Sequence, residues 1–411
     1  MPRTTHRQSP PESAGQDSRS LRPPWSRRGL LGLAPGLLLA SALAPSPAGA
    51  AAPHGAPFAS PASSPDPDAL NALLAAGVAG GLPGIVLRVD RAEAPLFSGA
   101  AGVASLERQT PLRATDRFRI YSIAKTFTAT VVLQLVDEGV LSLEDTVRRW
   151  LDDPAVGRIP DADSITLRQL LTHTSGIYDY QDEADSPFYV DAFFGPDADW
   201  GRVWTPPELL AYADGARHAP YFAPGQGVAY ANTNYVLLGL IVEAATGRPF
   251  RDELRDRVLT PLALDRTSLE EGAAVAPDVV PGYQRQAGQL ADVSAVNLTW
   301  AWVAGGIVST APDLARFARA VFDGELLSPA SHAAMLTFAP GTWGRLEFGM
   351  GVYRVSSPHG ELIGMDGGGA GGTSTMAWLP GADVTVVVLA NVAGTGGLDH
   401  IRDEAFAWAL A

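Results

Sequence analysis

Ser122-Ile123-Ala124-Lys125 sets a hydroxyl and an amine three residues apart, and Lys125 is the only lysine in the 411 residues. Every other cation among the 30 Lys plus Arg is an arginine. The difference is chemical. Arginine keeps its proton in a protein, whereas a buried lysine can have its pKa pulled down and act as a base. On a helix, positions i and i+3 share a face, so the Lys125 amine lies beside the Ser122 hydroxyl. That arrangement activates a serine nucleophile without a histidine. The same short pattern also occurs on solvated helix surfaces, and the Ala, Gly, Pro and Arg bias makes lysine scarce on compositional grounds alone. A second pair stands in the loop Pro224 to Tyr235, where Tyr230-Ala231-Asn232 is the only Tyr-x-Asn of the chain. A tyrosine beside a cationic lysine is expected to have a lowered pKa and to serve as general base or acid. Asn232 is placed to bond Lys125 and a substrate amide, although Tyr and Asn are also ordinary residues of a Pro-Gly turn.

The elements that must carry these groups can be read from patterning. The run Thr126 to Val136 is largely apolar and has no charge before Asp137, as in a helix that lies inside a protein. Ser122 and Lys125 are then at the buried N-terminal end of a core helix, where the helix dipole and free N–H groups favour a developing anion. Before it, Asp66 to Gly80 reads as a helix with Leu70, Leu73, Leu74 and Val78 at helical spacing. Gly84 to Asp90 and Pro95 to Val103 read as a strand hairpin. From Leu141 to about Leu290 the pattern is mainly helical, as at Ile165 to Leu171, Pro206 to Ala213 and Tyr235 to Ala245. After Met350 short strands return (Met350 to Ser356, Thr373 to Leu379, Val384 to Asn391), and Leu398 to Leu410 reads as a last helix. The layout predicts an α+β fold: an antiparallel sheet built from both chain ends and flanked by helices, with a mainly helical subdomain inserted at about 141–290 and a cleft between them.

Composition removes several classes of function. The net charge of −14 gives no basic footprint for nucleic acid. With no cysteine, thiolate catalysis, disulfides and Cys-ligated metals are excluded. The seven histidines form no ligand spacing, so no metal is expected. Asp179, Asp182, Glu183, Asp185 and Asp191 do not fit a calcium loop and read as a solvated acidic loop near a cleft. Residues 1–50 read as an export signal: Arg27-Arg28 precedes an apolar run that is too short for a membrane span and is broken by Pro35, and Ala48-Gly49-Ala50 supplies a cleavage site. The pattern resembles a twin-arginine signal, which implies a secreted or periplasmic protein. Residues 51–65 read as a linker, leaving 66–411 as the folded domain.

Ser122-x-x-Lys125, then Tyr230-x-Asn232, then a Gly-rich strand near Gly367 resemble the serine β-lactamase and penicillin-recognising hydrolase family, closest to its class C and D-alanyl-D-alanine carboxypeptidase branch. The connecting stretches Ile165 to Gly176, Asn234 to Gly239 and Ala304 to Thr310 match as well, so the resemblance spans nearly all of 67–411. It implies Ser122 as the acylated nucleophile, Lys125 and Tyr230 as the proton-transfer pair, Asn232 and Trp300 as substrate-binding residues, and an oxyanion hole from the N–H groups of Ser122 and Gly368. It also implies no cofactor, a structural His173, and a small peptide, β-lactam or ester as substrate. The third motif departs from the pattern. Where the family has Lys or His, any residue, then Gly, this chain has Met365-Asp366-Gly367. Met365 cannot hold a substrate carboxylate, and Asp366 would repel one if it faced the cleft. Either an arginine such as Arg354 replaces the cation, or the substrate lacks a carboxylate. The expected order is a D-alanyl-D-alanine carboxypeptidase-type peptidase, then an esterase, then a β-lactamase; the different class is a non-catalytic penicillin-binding homologue.

Overall fold

The computed structural model describes residues 66–411 apart from 183–186, 196–197, 273–275, 287 and 395–397. The expected export signal (1–50) and linker (51–65) lie outside these residues, as do Glu183 and Asp185.

The sheet is built from the two ends of the chain, as expected. Helix α1 (Pro67–Ala79) starts where Pro67 fits the first turn and the Asp66 side chain accepts the Asp68 N–H at 3.0 Å. It leads into β1 (Gly84–Arg91), β2 (Ala94–Ser105) and β3 (Thr110–Pro111). The late strands are β4 (Glu347–Phe348), β5 (Tyr353–Ser357), β6 (Gly360–Gly369), β7 (Gly372–Leu379) and β8 (Val384–Ala390). The order across the sheet is β3-β2-β1-β8-β7-β6-β5-β4, with antiparallel neighbours, so β1 closes the two halves by pairing with β8. Strand β8 reads Val-Thr-Val-Val-Val-Leu-Ala and is buried along its whole length, which explains why it occupies the middle.

Each face of the sheet has its own helices. On one, α1 and the C-terminal α5 (Asp399–Leu410) pack, with Phe97 of β2 edge-on to Trp408 at 6.1 Å. On the other lies α4 (Ala311–Phe322), whose Phe322 stacks on Trp378 of β7 at 5.0 Å. Beneath α4 runs α2 (Ala124–Asp137), in which every residue from Ala124 to Leu133 is buried. Phe127 of α2 and Phe317 of α4 stack in a near-parallel pair. The strand expected from Met350 begins only at Tyr353. Gly349-Met350-Gly351 instead turns against α2, where Gly351 holds φ +75° and its carbonyl accepts the Thr126 hydroxyl at 2.7 Å.

Between the halves of the sheet the chain forms short helices such as Leu167–Leu171, Pro206–Leu210 and Phe250–Leu254, one long helix α3 (Asn232–Thr246), and small strands. One three-stranded set, Phe118–Arg119, Ile307–Ser309 and Ser268–Leu269, delivers the chain directly to Ser122. Removing the Phe127–Phe317 stack tests how α2 is held. Phe317→Ala should lower unfolding free energy by about 3–5 kcal/mol, read as a fall in the urea midpoint at unchanged slope.

Candidate active site

A strained turn brings the nucleophile to the head of the buried helix. Tyr121–Ile123 form a single 3-10 turn ahead of α2, and Tyr121 has φ +47°, a left-handed backbone that costs about 1–3 kcal/mol in a bulky residue. The turn is held by its surroundings. The Ile120 N–H donates to the Ile307 carbonyl at 3.0 Å, and the Tyr121 hydroxyl donates to the Ala370 carbonyl in the turn beyond β6. Ser122 is thereby set at the N-terminal end of α2, one turn before Lys125.

Lys125 is completely buried, and three oxygens surround its Nζ: Ser122 Oγ at 3.1 Å, Asn232 Oδ1 at 2.7 Å and the Ala304 carbonyl at 2.8 Å. The amide oxygen and the carbonyl can only accept, so they take two N–H bonds and aim the third position of the nitrogen at Ser122. In the ammonium that position holds a proton; in the amine it holds the lone pair. Burial pulls the Lys125 pKa down to about 7, opposed by the charge of Asp179. The Tyr230 hydroxyl lies 2.6 Å from Ser122 Oγ on another side. Ser122, Lys125, Tyr230 and Asn232 are therefore together, from residues 122 to 232 of the sequence.

Tyr230 differs from expectation in its acidity. Burial raises its pKa, against the hydrogen bond from Ser122 that lowers it, so the group is a phenol and not a phenolate. The nearby lysine does not reverse this, because its Nζ sits over the ring face, 4.8 Å from the centroid, rather than at the hydroxyl. A phenol at this place suits passing a proton to a leaving group. Its ring is stacked with His173 at 4.5 Å and with Trp343 at 5.4 Å. His173 is buried, its Nδ1 accepts the Ala231 N–H at 3.1 Å, and burial holds its pKa well below the usual value. It is a neutral packing and capping residue here.

Strand β6 forms the opposite wall. Met365, Gly367 and Gly369 alternate onto the face toward the nucleophile turn. A Cβ on Gly367 would lie 2.1 Å from the Ile120 carbonyl oxygen and 3.0 Å from the Ser122 nitrogen, so only glycine lets the strand come this close. This contact identifies Met365-Asp366-Gly367 as the triplet beside the nucleophile. Met365 is buried and neutral. Asp366 points to the other face, where it accepts the Thr375 hydroxyl and feels the Arg402 guanidinium of α5, so it does not repel a ligand in the cleft. Arg354 does not replace the missing cation: Glu347 at 2.7 Å and Glu361 at 3.5 Å hold its guanidinium over the Phe338 ring. Gly368 follows on β6, in register with Thr373. Trp300 is packed in an aromatic cluster with Phe193 at 5.7 Å and Phe188 at 6.3 Å, and its carbonyl accepts the Tyr180 hydroxyl.

Two members of the site were not legible as such. The Ala304 carbonyl is a backbone atom and has no residue-type signature. In the sequence Asp179 reads as part of a solvated acidic loop, yet it is only 4% exposed and accepts the Asn232 Nδ2–H at 2.9 Å. The available signal was its setting between Ile177-Tyr178 and Tyr180, unlike the exposed Asp182 beyond. Among the described residues no cluster of His, Asp and Glu is arranged to hold a metal ion.

A model of the family described as Beta-lactamase matches residues 70–407. Penicillin-binding protein 4 of Amycolatopsis lactamdurans is 32% identical over 329 residues, 75% of this chain and 81% of that protein. Penicillin-binding protein 4* of Bacillus subtilis is 28% identical over 302 residues, 68% of this chain, and the match spans only 62% of that protein's length. The crystal structure of a D-stereospecific amidohydrolase from Streptomyces sp. superposes with a TM-score of 0.72 at 33% identity, covering 83% of this chain and 99% of that one.

The geometry gives two tests. Lys125→Arg should lower acylation of Ser122 by at least about 10³-fold while circular dichroism stays native, since a guanidinium cannot accept the serine proton. In the unaltered protein, acylation by an activated ester should rise with pH through about 7, as Lys125 loses its proton, and level off above it. A rate independent of pH between 5 and 9 would remove the general-base role.

Proposed function

The chain belongs to the Beta-lactamase family and is a serine hydrolase, and from that premise we propose that it forms an acyl-enzyme on Ser122 from D-amino-acyl amides and esters whose leaving group bears no free carboxylate. The observation that carries the substrate class is the neutral Met365 beside Gly367, with Arg354 held by two glutamates elsewhere. The D-configuration follows the Streptomyces amidohydrolase to which the chain is similar. D-alanyl-D-alanine carboxypeptidase activity is the second reading, favoured by the 32% identity to penicillin-binding protein 4.

The reaction proceeds with each residue in a defined part. Ser122 Oγ attacks the acyl carbon, the C=O π pair moves onto oxygen, and the Oγ proton passes to Lys125 Nζ. The N–H groups of Ser122 and Gly368 receive the oxyanion; losing one such donor typically costs about 10²–10³ in rate. When the carbonyl re-forms, the bond to the leaving group breaks and the Tyr230 phenol supplies its proton, leaving a phenolate to take water's proton while the Lys125 ammonium keeps the one it will return to Ser122 Oγ. Water then repeats the sequence in reverse on the ester and frees the acid. Asn232 retains one N–H beyond its bond to Asp179, which is available to the substrate amide. The paired arginines Arg27-Arg28 ahead of the apolar run support export by the twin-arginine route. Among the described residues no helix is long and apolar enough to cross a membrane.

The test compares turnover of D-alanine amide and a D-alanine aryl ester with release of D-alanine from a D-Ala-D-Ala-terminated peptide, each with intact-mass detection of the Ser122 adduct. The expected result is at least tenfold higher kcat/KM on the carboxylate-free substrates; a preference for the peptide would support the carboxypeptidase reading instead. Met365→His should raise kcat/KM on the peptide about tenfold by adding a charge-assisted contact to its carboxylate.

A further inference from the structure

Asp179 is a buried carboxylate without a directly bonded cation among the described residues. Its Oδ1 accepts the Gln181 backbone N–H at 3.2 Å, and its Oδ2 accepts from Asn232 Nδ2 at 2.9 Å. The other end of the same amide, Oδ1, receives the Lys125 ammonium at 2.7 Å. An ionised carboxylate can only accept, so it dictates which way Asn232 faces. With Nδ2 committed to Asp179, Oδ1 must point at Lys125. Without the carboxylate, the amide can turn over and present N–H groups to Nζ, which pushes the amine off its line to Ser122.

We propose that Asp179 is a positioning residue for Lys125, acting through Asn232 to fix the amine on Ser122 and to offset the ammonium formed when it takes the serine proton. The inference rests on the serine acyl-transfer reading given above. It completes a pattern in which nucleophile and base are followed by a third group that orients the base. The parts come from three separate segments: Ser122 and Lys125 from the head of α2, Asn232 from the start of α3, and Asp179 from the loop after Gly176. Around Lys125 the other titratable groups are His173, Tyr230 and Tyr235. Around Asp179 they are Tyr180, Tyr189, Tyr221 and Tyr230. Burial holds these four phenols protonated and His173 neutral, so among the described residues Asp179 is the one anion that opposes the Lys125 charge. Burial raises the Asp179 pKa, and the N–H groups of Gln181 and Asn232 together with Lys125 resist that rise.

The experiment is a double-mutant cycle of Asp179→Asn and Asn232→Ala in the full chain, with single-turnover acylation by an aryl ester followed from pH 5 to 9. Asp179→Asn should lower acylation about 10²-fold, the scale of a displaced reacting group, with KM little changed. Its rising limb should move to lower pH, because the carboxylate that helped Lys125 keep its proton is gone. In the Asn232→Ala background the same change should cost much less than it does alone, since the orienting part of the effect passes through that amide and only the charge part remains. An unchanged rate and limb in Asp179→Asn, or a full additional loss in the double variant, overturns the proposal. Should Asp179→Asn not fold, Asp179→Ser carries the same test, keeping an acceptor for Asn232 but no charge, and the same limb shift is expected. Wild-type protein that shows no adduct on Ser122 removes the hydrolase mechanism altogether. Wild-type acylation with an unaffected Asp179 variant removes only the role of Asp179.

Discussion

A fully buried lysine nitrogen, touched by neutral oxygens and by no carboxylate among the described residues, is the interaction on which this molecule turns. Burying the ammonium of Lys125 is expensive, and the Asn232 amide and the Ala304 carbonyl offset only part of that cost. The balance leaves the group close to losing its proton at neutral pH, which a base needs and a surface lysine never has. Much of the surrounding architecture follows from keeping that site dry. Helix α2 is enclosed over its first ten residues, α4 closes over it through the phenylalanine stack, and the turn at Gly351 seals its side.

The sequence made the outline of the fold visible because its signals were local. Strand β8 announces itself by unbroken β-branched residues, and α2 by an apolar run too long and too charge-free for a surface. Ser122 and Lys125 were legible for the same reason: three residues of helix fix their relation without help from the rest of the chain. Tyr230-x-Asn232 is 105 residues further on and gained meaning only from its order after the first motif. What stayed hidden depended on tertiary environment. The acidity of Tyr230 is set by burial, which the neighbouring lysine does not outweigh, and no local pattern reports burial of a loop residue. Asp179 shows this most clearly, since it shares a run with Asp182 and Asp191 yet alone is enclosed by Tyr180, Gln181 and Asn232.

Strand β6 separates two chemistries by the simple alternation of its side chains. Met365 looks toward the nucleophile and Asp366 away from it, so adjacent residues with opposite consequences for a charged ligand never compete. The acidic side chain is used on the far face, with Thr375, Tyr353 and Arg402, to fasten the strand to the C-terminal helix. The cleft face is left apolar. Met365, where the resemblance implies a cation, is thus a difference confined to one face, with the packing behind it intact.

The approach of Gly367 to Ile120 and Ser122 has a further meaning for how the site ages and varies. Strand and nucleophile turn meet there backbone to backbone, and the Ser374 hydroxyl beside the contact donates to the Ile120 carbonyl at 2.8 Å. The distance between the two backbones is consequently set mainly by the missing Cβ of Gly367. Met365 on the cleft face and Trp343 stacked on Tyr230 can be exchanged without altering that backbone contact.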